Sequence, residues 1–213
     1  MIHLHYYPGN ASMAPHILLE ELGVPFELVR VDREHAAHKS PEYLKLNPNG
    51  LIPVLQDGDL VLYETAAILL HLADTHPDAV LAPGVGTPER AEFYKWLVWM
   101  TNTLQAMLIH YFYPDRMADD AAGAAAVKAH AEAAIGRMLD QLDTHLGSHE
   151  GPWLLGTDYS AADALAFVLC RWTRGFGRPA RSLPHIGPYL QRMLARPAVQ
   201  KVFATEQPAM PHV

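Results

Sequence analysis

The sequence contains a single cysteine, Cys170, among 213 residues. One cysteine excludes an internal disulfide and any Cys-x-x-Cys redox pair. It lies in the apolar stretch "ALAFVLCRW", which predicts a packed and unreactive thiol. The 13 histidines are scattered, with no His-Glu-x-x-His motif and no compact cluster of His, Cys and Asp. We therefore expect no metal site.

Basic residues and long apolar runs are also scarce. Lys and Arg number 16 against 23 Asp and Glu, a formal net charge of −7, and no basic run alternates with aromatic residues. A nucleic-acid surface requires such a run. No apolar stretch approaches the roughly 18 residues of a membrane span. The first residues, "MIHLHYYPGN", lack the features of a signal peptide. We expect no nucleic-acid partner, no membrane association and a cytoplasmic location.

The spacing of the apolar residues and a stretch rich in Pro and Gly divide the chain into two parts. Half of the residues are hydrophobic, which is enough for each part to bury a core. The first third alternates short extended segments with helical ones, whereas everything after about Pro88 has helical spacing. The stretch "THPDAVLAPGVGTPER" between the two is rich in Pro and Gly. These features predict a first domain at 1–78, a linker at 79–88 and a second domain at 89–213.

The first part predicts the element order β-α-β-α-β-β-α. "IHLHYY" alternates like a half-buried strand, and "MAPHILLEELG" has helical spacing with Ser12 at the N-cap position. "FELVRV" predicts a strand, and "SPEYLKL" predicts a short helix capped by Ser40. "PVLQ" and "LVLY" flank Asp57-Gly58, which indicates an antiparallel hairpin.

The second part predicts a helical bundle. "PERAEFYKWLVWMTNTLQAMLIHYF" and "AAGAAAVKAHAEAAIGRMLDQLDTHLG" predict two long helices that pack antiparallel. In "TDYSAADALAFVLCRWTR", Ser160 and Asp163 have nearly the spacing and chemistry of a capping box. Because the body of this helix is apolar all round, we expect it at the centre of the bundle. We interpret Asp163 as structural.

Four motifs, "NPNGLIPVL", "YETAAIL", "YSAADALAF" and "RMLARPAV", occur in this order. With the two-part pattern they resemble the cytosolic glutathione S-transferases over essentially the whole chain. The stretch "SMAPHILLEELGVPFELVRVD" looks most like the bacterial branches, including the beta class. The resemblance implies a thioredoxin-like α/β domain that holds glutathione and an all-helical domain that supplies most of the hydrophobic site. It also implies a homodimer, glutathione as cosubstrate, no metal and a role in detoxification.

The resemblance further implies that Pro53 is cis and that the backbone of Val54 pairs with glutathione as a short antiparallel strand would. Glu64 and Thr65, at the start of a helix, would receive the ammonium and the carboxylate of the γ-glutamyl end. The alternative for this pair is an ordinary helix start. Candidate donors to the glycyl carboxylate are His38, Lys39 and Asn49, for which solvated loop residues are the alternative.

The glutathione thiol must be activated, since a pKa near 8.5 leaves roughly 3% as thiolate at neutral pH. The family places a hydroxyl or thiol donor just after the first strand. In this chain that position falls on Ala11, which has no donor. The candidate donors, in order of preference, are Ser12, Asn10 and Tyr6. For Ser12 the alternative is a plain N-cap, and for Tyr6 it is packing beneath the strand.

The second substrate would be a small, apolar electrophile bound against the bundle. The candidate residues are Leu104, Met107, Leu108, Tyr111, Tyr113, Trp172 and Phe176. For each of them packing in the core is the alternative, since such a stripe is typical of a buried helix face. The His-Lys pair that the beta class often carries corresponds here to Gln105 and Ala106. This departure, like Ala11, indicates an activity that is narrow, weak or of a different kind from that of the beta class.

Three functions follow from these residues. The first is a glutathione transferase that directs the thiolate at a small hydrophobic electrophile. The second is a glutathione-dependent peroxidase or disulfide reductase, which an essential Asn10 would favour. The third is a non-catalytic binding protein with the same fold, which Ala11 favours and which an intact Val54, Glu64 and Thr65 oppose.

Overall fold

The first part of the chain folds as the sequence predicts in this computed structural model, which describes residues 1–213. The elements in chain order are β1 Ile2–Tyr6, α1 Met13–Leu22, β2 Phe26–Arg30, α2 Pro41–Leu46, β3 Val54–Asp57, β4 Leu60–Tyr63 and α3 Thr65–Thr75. The predicted order β-α-β-α-β-β-α is confirmed.

The sheet brings four chain segments to one of its edges. Its strand order is β2-β1-β3-β4, with β2 parallel to β1 and the other two pairs antiparallel. Tyr6 pairs with Arg30, while Val54 pairs with both His5 and Tyr63. The ends of β1, β2 and β4 and the start of β3 therefore meet at the same edge, called here the upper edge. The loops that begin or end at this edge are therefore close to one another.

Two local predictions in this domain are confirmed and one is wrong. The Ile52–Pro53 bond is cis and the Ser40 hydroxyl accepts from the Tyr43 N–H at 3.2 Å, as predicted. The Ser12 hydroxyl, however, does not cap α1, and its backbone is already helical with φ −58° and ψ −19°. The prediction that Ser12 caps this helix is wrong. The physical reason is that carbonyls of the preceding turn already accept from the first N–H groups of the helix.

The second part is helical throughout. Its helices are α4 Pro88–Trp99, α5 Ala106–Phe112, α6 Ala121–Gly147, α7 Ala161–Trp172, α8 Ile186–Ala195 and α9 Pro197–Glu206. Residues 76–87 separate α3 from α4, so the predicted bounds at 78 and 88 fall within or beside this connecting stretch. Those domain bounds stay predictions. No helix combines the length and the apolarity needed to cross a membrane.

The first long helix of the bundle is not one regular α-helix. A π-helical segment, Met100–Gln105, joins α4 to α5. The Thr101 hydroxyl donates to the carbonyls of Leu97 and Val98, each at 3.1 Å, inside the turn where the π segment begins. Such back-bonding competes with the regular helical ladder, and π segments of this kind are frequent at functional sites.

Helix α7 is the centre of the bundle, as its apolar sequence predicts. Its residues from Ala161 to Arg171 are all buried, and Ser160 and Asp163 form a capping box. The Asp163 carboxylate accepts from the N–H groups of Leu154 and Ser160, both at 2.8 Å, and from the Tyr189 hydroxyl at 3.1 Å. Burial raises the pKa of the Asp163 carboxyl, and these hydrogen bonds oppose that rise.

Cys170 lies on the same helix and is 1% exposed. Burial raises the pKa of its thiol to about 12. Because the thiolate is the reactive form, this cysteine is inert at neutral pH, as its apolar surroundings predict.

Candidate active site

A cavity of about 480 Å³ opens between the upper edge of the sheet and the helical domain. Its size is that of a typical small-molecule site. The sheet side is lined by Gly9, Asn10, Ala11, Arg33, His38, Lys39, Asn49, Gly50, Leu51 and Ile52. The helical side is lined by Gln105, Ile109, Phe112, Tyr113, Arg116, Trp172 and Arg174. Both domains therefore build it.

The loop after β1 is held from both sides by the helical domain. Gly9 has φ +71°, a conformation that suits glycine. Its carbonyl accepts from the Trp172 indole N–H at 3.1 Å, and its N–H donates to the Glu206 carboxylate at 2.8 Å. The residue that follows Gly9 is thereby presented to the cavity on a fixed backbone.

Asn10 is the donor that this loop brings to the cavity. Its Oδ1 accepts from the N–H of Ala11 at 2.5 Å, which leaves the two Nδ2 hydrogens without a partner in the protein. Ala11 also lines the cavity, but a methyl group donates no hydrogen bond. A ligand atom that needs a donor here can therefore obtain one from Asn10.

The other two predicted donors lie outside the cavity. Ser12 is fully buried, and its hydroxyl donates to the Tyr7 carbonyl at 3.1 Å and accepts from the Tyr7 N–H at 3.2 Å. Tyr6 is half-buried and packs on the core, with its ring 6.2 Å from that of His16. The preference for Ser12 over Asn10 does not match these positions, because the start of α1 turns the Ser12 hydroxyl back toward the strand.

His38, Lys39 and Asn49 all line the cavity, and their role as donors to the glycyl carboxylate stays a prediction. The Lys39 ammonium donates to the Asn49 carbonyl at 3.1 Å. Gly50 has φ +58°, and a Cβ there would lie 2.7 Å from the Lys39 Nζ and 2.8 Å from the His38 carbonyl oxygen. Glycine is thus required for the two segments to approach this closely.

Positive charge dominates the cavity, since Arg33, Lys39, Arg116 and Arg174 line it and no Asp or Glu does. Arg33 donates to the Tyr113 hydroxyl, and the Arg116 guanidinium stacks 4.1 Å above the same ring. Burial, together with the neighbouring positive charges, lowers the pKa of the His38 imidazole, so it is neutral at pH 7. An anion is favoured here.

The arginines were missed by sequence reasoning because loop arginines are usually solvated. No local pattern distinguishes Arg33, Arg116 or Arg174 from surface residues. The contact from Arg33 to Tyr113 spans 80 residues of sequence, and only the fold brings the two together.

The apolar wall lies one position away from the predicted stripe. Leu104, Leu108 and Phe176 are buried in the core, Met107 packs against it, and Tyr111 stacks on Phe176 with ring centroids 4.1 Å apart. Of the seven predicted residues, only Tyr113 and Trp172 line the cavity. The most apolar stripe faces the core because that face loses the most water-exposed area. The apolar part of the wall is formed by Ile109 and Phe112, with the polar Gln105 one turn before them. Their helical spacing is the feature of the sequence that could have identified them.

Comparison with known proteins agrees with this arrangement. Residues 1–74 match the family described as glutathione S-transferase, N-terminal domain, and residues 104–206 match the glutathione S-transferase, C-terminal domain. The chain belongs to the glutathione S-transferase family. The predicted family and fold class are confirmed.

Three relatives illustrate the similarity. A glutathione S-transferase of Xanthomonas campestris is 33% identical over 203 residues, covering 95% of this chain and 98% of the relative. The structure of a Sulfitobacter glutathione transferase homologue with bound glutathione has a TM-score of 0.88 at 31% identity and covers 96% of this chain and 98% of its own. The structure of the beta-class glutathione S-transferase of Sphingomonas chungbukensis has a TM-score of 0.83 at 32% identity, and the match covers 96% of this chain and 98% of its own.

In this glutathione S-transferase the remaining predicted residues lie at the upper edge but do not line the cavity. Pro53 and Val54 are buried at the start of β3, and Thr65 is buried at the start of α3. Glu64 is exposed and has φ 72° and ψ 114°. A non-glycine residue at positive φ is strained, and such strain clusters at ligand sites. The roles of these four residues toward glutathione stay predictions.

Proposed function

We propose that the protein is a glutathione transferase that binds glutathione along the upper edge and activates its thiol with the Asn10 amide. The observation that carries this proposal is the unpartnered Nδ2 of Asn10 in a positively charged cavity of a glutathione S-transferase fold. The reaction draws on the cosubstrate's own thiol and on side chains of this chain.

Glutathione would lie across three segments of the upper edge. Its γ-glutamyl end would meet the Glu64 carboxylate and the start of α3, and its cysteine main chain would pair with Val54. Its glycyl carboxylate would reach the neutral His38 and the Lys39 ammonium. The register supports this placement, because Val54 is paired with the residue just before Glu64.

The chemistry needs a stabilised thiolate. Lowering the thiol pKa by two units corresponds to about 2.7 kcal/mol. One hydrogen bond to a charged group contributes about 1.5–3 kcal/mol. The Asn10 amide, with the field of Arg33 and Arg174, can supply this stabilisation. The thiol proton passes to solvent, the sulfur forms a new bond to an electrophilic carbon, and the leaving group departs with its electron pair.

The electrophile would bind against Ile109, Phe112 and Trp172. The Phe112 and Trp172 rings are 6.4 Å apart and nearly perpendicular, at 87°. These side chains offer apolar area next to the predicted thiolate, and they supply no charged group. A small hydrophobic substrate suits this wall.

A second candidate function is a glutathione-dependent peroxidase or disulfide reductase. An essential Asn10 would favour this alternative, and Asn10, unlike Ser12, lines the cavity. The same activated thiolate would then attack a peroxide oxygen, which breaks the O–O bond and releases an alkoxide, or a disulfide sulfur, which breaks the S–S bond and releases a thiolate. A second glutathione thiol would reduce the resulting sulfenic acid or mixed disulfide and leave as part of oxidised glutathione.

The protein would also form a homodimer, as members of this family usually do. Leu60 and Val61 lie on β4, the outermost strand on one side of the sheet, and are 41% and 39% exposed. Val98 on α4 is 56% exposed. An exposed apolar edge strand is suited to pairing with another chain. The cytoplasmic location stays a prediction.

The test is glutathione binding by calorimetry for wild type and Glu64→Gln. Gln keeps the side-chain length and removes the charge, so we expect affinity to fall about tenfold. Glu150→Gln, an exposed control, should bind like wild type. The same preparations are then given a generic aromatic electrophile and, separately, an organic peroxide. Wild type that binds no glutathione would contradict the proposal, and turnover of the peroxide alone would select the second function.

A further inference from the structure

A second cavity, of about 390 Å³, lies on the other side of the loop that carries Gly9. We call it the arginine cavity, since Arg30, Arg171 and Arg174 line it together with Glu206. Tyr7–Gly9 and Gln207–Ala209 complete its lining. It shares Gly9 and Arg174 with the candidate active site. Nothing in the transferase reaction described above uses Arg30, Arg171 or Glu206 to touch a substrate.

The arginines of this cavity have no ion-pair partners. The arginines that do form ion pairs in this protein are Arg90, Arg178 and Arg196. Arginine is rarely buried without a carboxylate, because removal of its charge from water is unfavourable unless it is paired. This applies to the buried Arg171, whereas Arg30 is exposed and Arg174 is half-buried, and both add positive charge to the same cavity without an ion-pair partner.

Arg171 makes this imbalance most evident. It is 1% exposed, its Nη2 donates to the Ala209 carbonyl at 3.1 Å, and its buried Nε has no partner. Burial, with the positive charge of Arg174, lowers the pKa of Arg171 to about 10. One carbonyl leaves most of the five donors of a guanidinium group available.

Glu206 supplies only part of the missing charge, because its carboxylate opposes the lowering of the Arg171 pKa but forms no ion pair with an arginine of this cavity. One of its carboxylate oxygens contacts the His16 ring at 2.7 Å, and the other accepts from the Gly9 N–H at 2.8 Å. Both oxygens are thus committed to α1 and to the loop after β1. With three guanidinium groups and one carboxylate, the cavity carries a formal charge of about +2, which a dianion would neutralise.

We propose that the arginine cavity binds a small organic phosphate, with the phosphoryl group held by Arg30, Arg171 and Arg174. The planar guanidinium fork matches the oxygens of a phosphoryl group and forms paired hydrogen bonds with them. A phosphoryl group carries close to two negative charges at pH 7, whereas a simple carboxylate carries one. The volume leaves room for an organic group beyond the phosphate. The site does not rest on the proposed transferase function, although it shares Arg174 with the candidate active site.

The test is a calorimetric titration of the full-length protein with inorganic phosphate at constant ionic strength. A parallel titration with acetate measures the binding of a monoanion. The variants are Arg30→Gln and Arg171→Lys. Two controls each remove one arginine elsewhere: Arg33→Gln, in the candidate active site, and Arg137→Gln, exposed on α6. Thermal unfolding verifies that each variant is folded, and since Arg30 is exposed its substitution leaves the core intact.

We expect saturable phosphate binding by wild type and no saturable acetate binding. Arg30→Gln should weaken phosphate binding by about tenfold, and Arg171→Lys should also weaken it, since lysine keeps the charge and loses the fork. Both controls should bind like wild type. The proposal is overturned if wild type shows no saturation, if Arg30→Gln binds like wild type, or if acetate binds as well as phosphate. It is overturned as well if Arg33→Gln weakens binding as much as Arg30→Gln, since the anion would then occupy the active site.

Discussion

Gly50 shows how a single residue shapes the candidate active site. A Cβ at this position would lie 2.8 Å from a backbone oxygen of His38, which cannot move without displacing the segment that carries Lys39. The φ of +58° adds strain for any other residue. The glycine is therefore needed both for its conformation and for the close approach of its neighbours.

Gly50→Ala should lower the free energy of unfolding by about 2–3 kcal/mol and weaken glutathione binding. Gly58→Ala is the matched control, because Gly58 has the same φ of +58° and a Cβ added there would meet no atom within 4 Å. That control should lose only about 1 kcal/mol and keep its glutathione affinity. Urea unfolding and calorimetry measure both. Equal losses in the two variants would show that the close approach does not matter.

For single residues, the sequence predicts which residue types occur near the site better than it predicts where their side chains point. Asn10 and Ser12 are both polar residues beside Ala11, and no spacing rule separates them. The choice depends on the turn between β1 and α1, which bonds the Ser12 hydroxyl to Tyr7, and on the contacts that hold Gly9 to Trp172 and Glu206 far along the chain. For the same reason, the apolar side chain of Leu104 made it a candidate for the hydrophobic site, although the fold places it in the core.

The elements are held together by a few buried polar contacts, of which the Asp163 network is the clearest. Its carboxylate joins α7 to the segment before it and to α8, through Ser160, Leu154 and Tyr189. Removal of the carboxylate would leave the buried N–H groups of Leu154 and Ser160 and the Ser160 hydroxyl without this acceptor. The network is therefore structural, in agreement with the interpretation from sequence.

Asp163→Ala should lower the free energy of unfolding by about 3–5 kcal/mol, whereas the exposed control Asp158→Ala should change it by less than about 0.5 kcal/mol. Any Asp163→Ala protein that folds should bind glutathione with wild-type affinity. Chemical denaturation and calorimetry give the two quantities. A stable variant that has lost glutathione binding would assign this carboxylate to the site.

Trp172 links α7 to the loop after β1. Trp172→Phe keeps the apolar surface and removes the hydrogen bond to the Gly9 carbonyl, so the position of Asn10 should become less fixed. We expect kcat to fall about tenfold, with a smaller change in the KM for glutathione. Trp99→Phe, at the C-terminal end of α4 and outside the cavity lining, should leave both constants unchanged. Steady-state kinetics test this, and an unaltered kcat in Trp172→Phe would remove the indole from the positioning of the loop.

Element order and caps were predictable where the signal is local. Ser40 before Pro41, Asp57-Gly58 between two strands, and Ser160 with Asp163 each specify their structure within a few residues. The π segment at Met100–Gln105 was not predictable, because over a single turn its apolar spacing is that of an α-helix. The Thr101 hydroxyl that accompanies it is common in regular helices as well.

The whole molecule is defined by contacts between distant parts of the chain. The motifs and the composition shift predicted two domains and a binding cleft, yet the side chains that build the cavity come from several separate segments of both domains. Their arrangement follows from the sheet register and the packing of α7, which no single stretch of sequence contains. The positive charge of the cavity is consequently a property of the fold.

The proposed homodimer is tested at this scale. Light scattering should give a mass twice the 23.6 kDa of one chain. Val98→Asp, on the exposed face of α4, should weaken association at least about tenfold, because it would place a charge in an apolar interface. Val85→Asp is the control, since Val85 is 80% exposed between the domains. A wild-type mass of one chain at micromolar concentration would contradict the dimer.

The most direct test of the account is the pKa of the thiol of bound glutathione, measured from thiolate absorbance as a function of pH. In wild type it should lie about two units below the free value of roughly 8.5. Asn10→Ala should raise it by about one unit or more while glutathione still binds, and Ser12→Ala should leave it unchanged. An Asn10→Ala protein whose bound thiol titrates like that of wild type would contradict the central claim that Asn10 stabilises the thiolate.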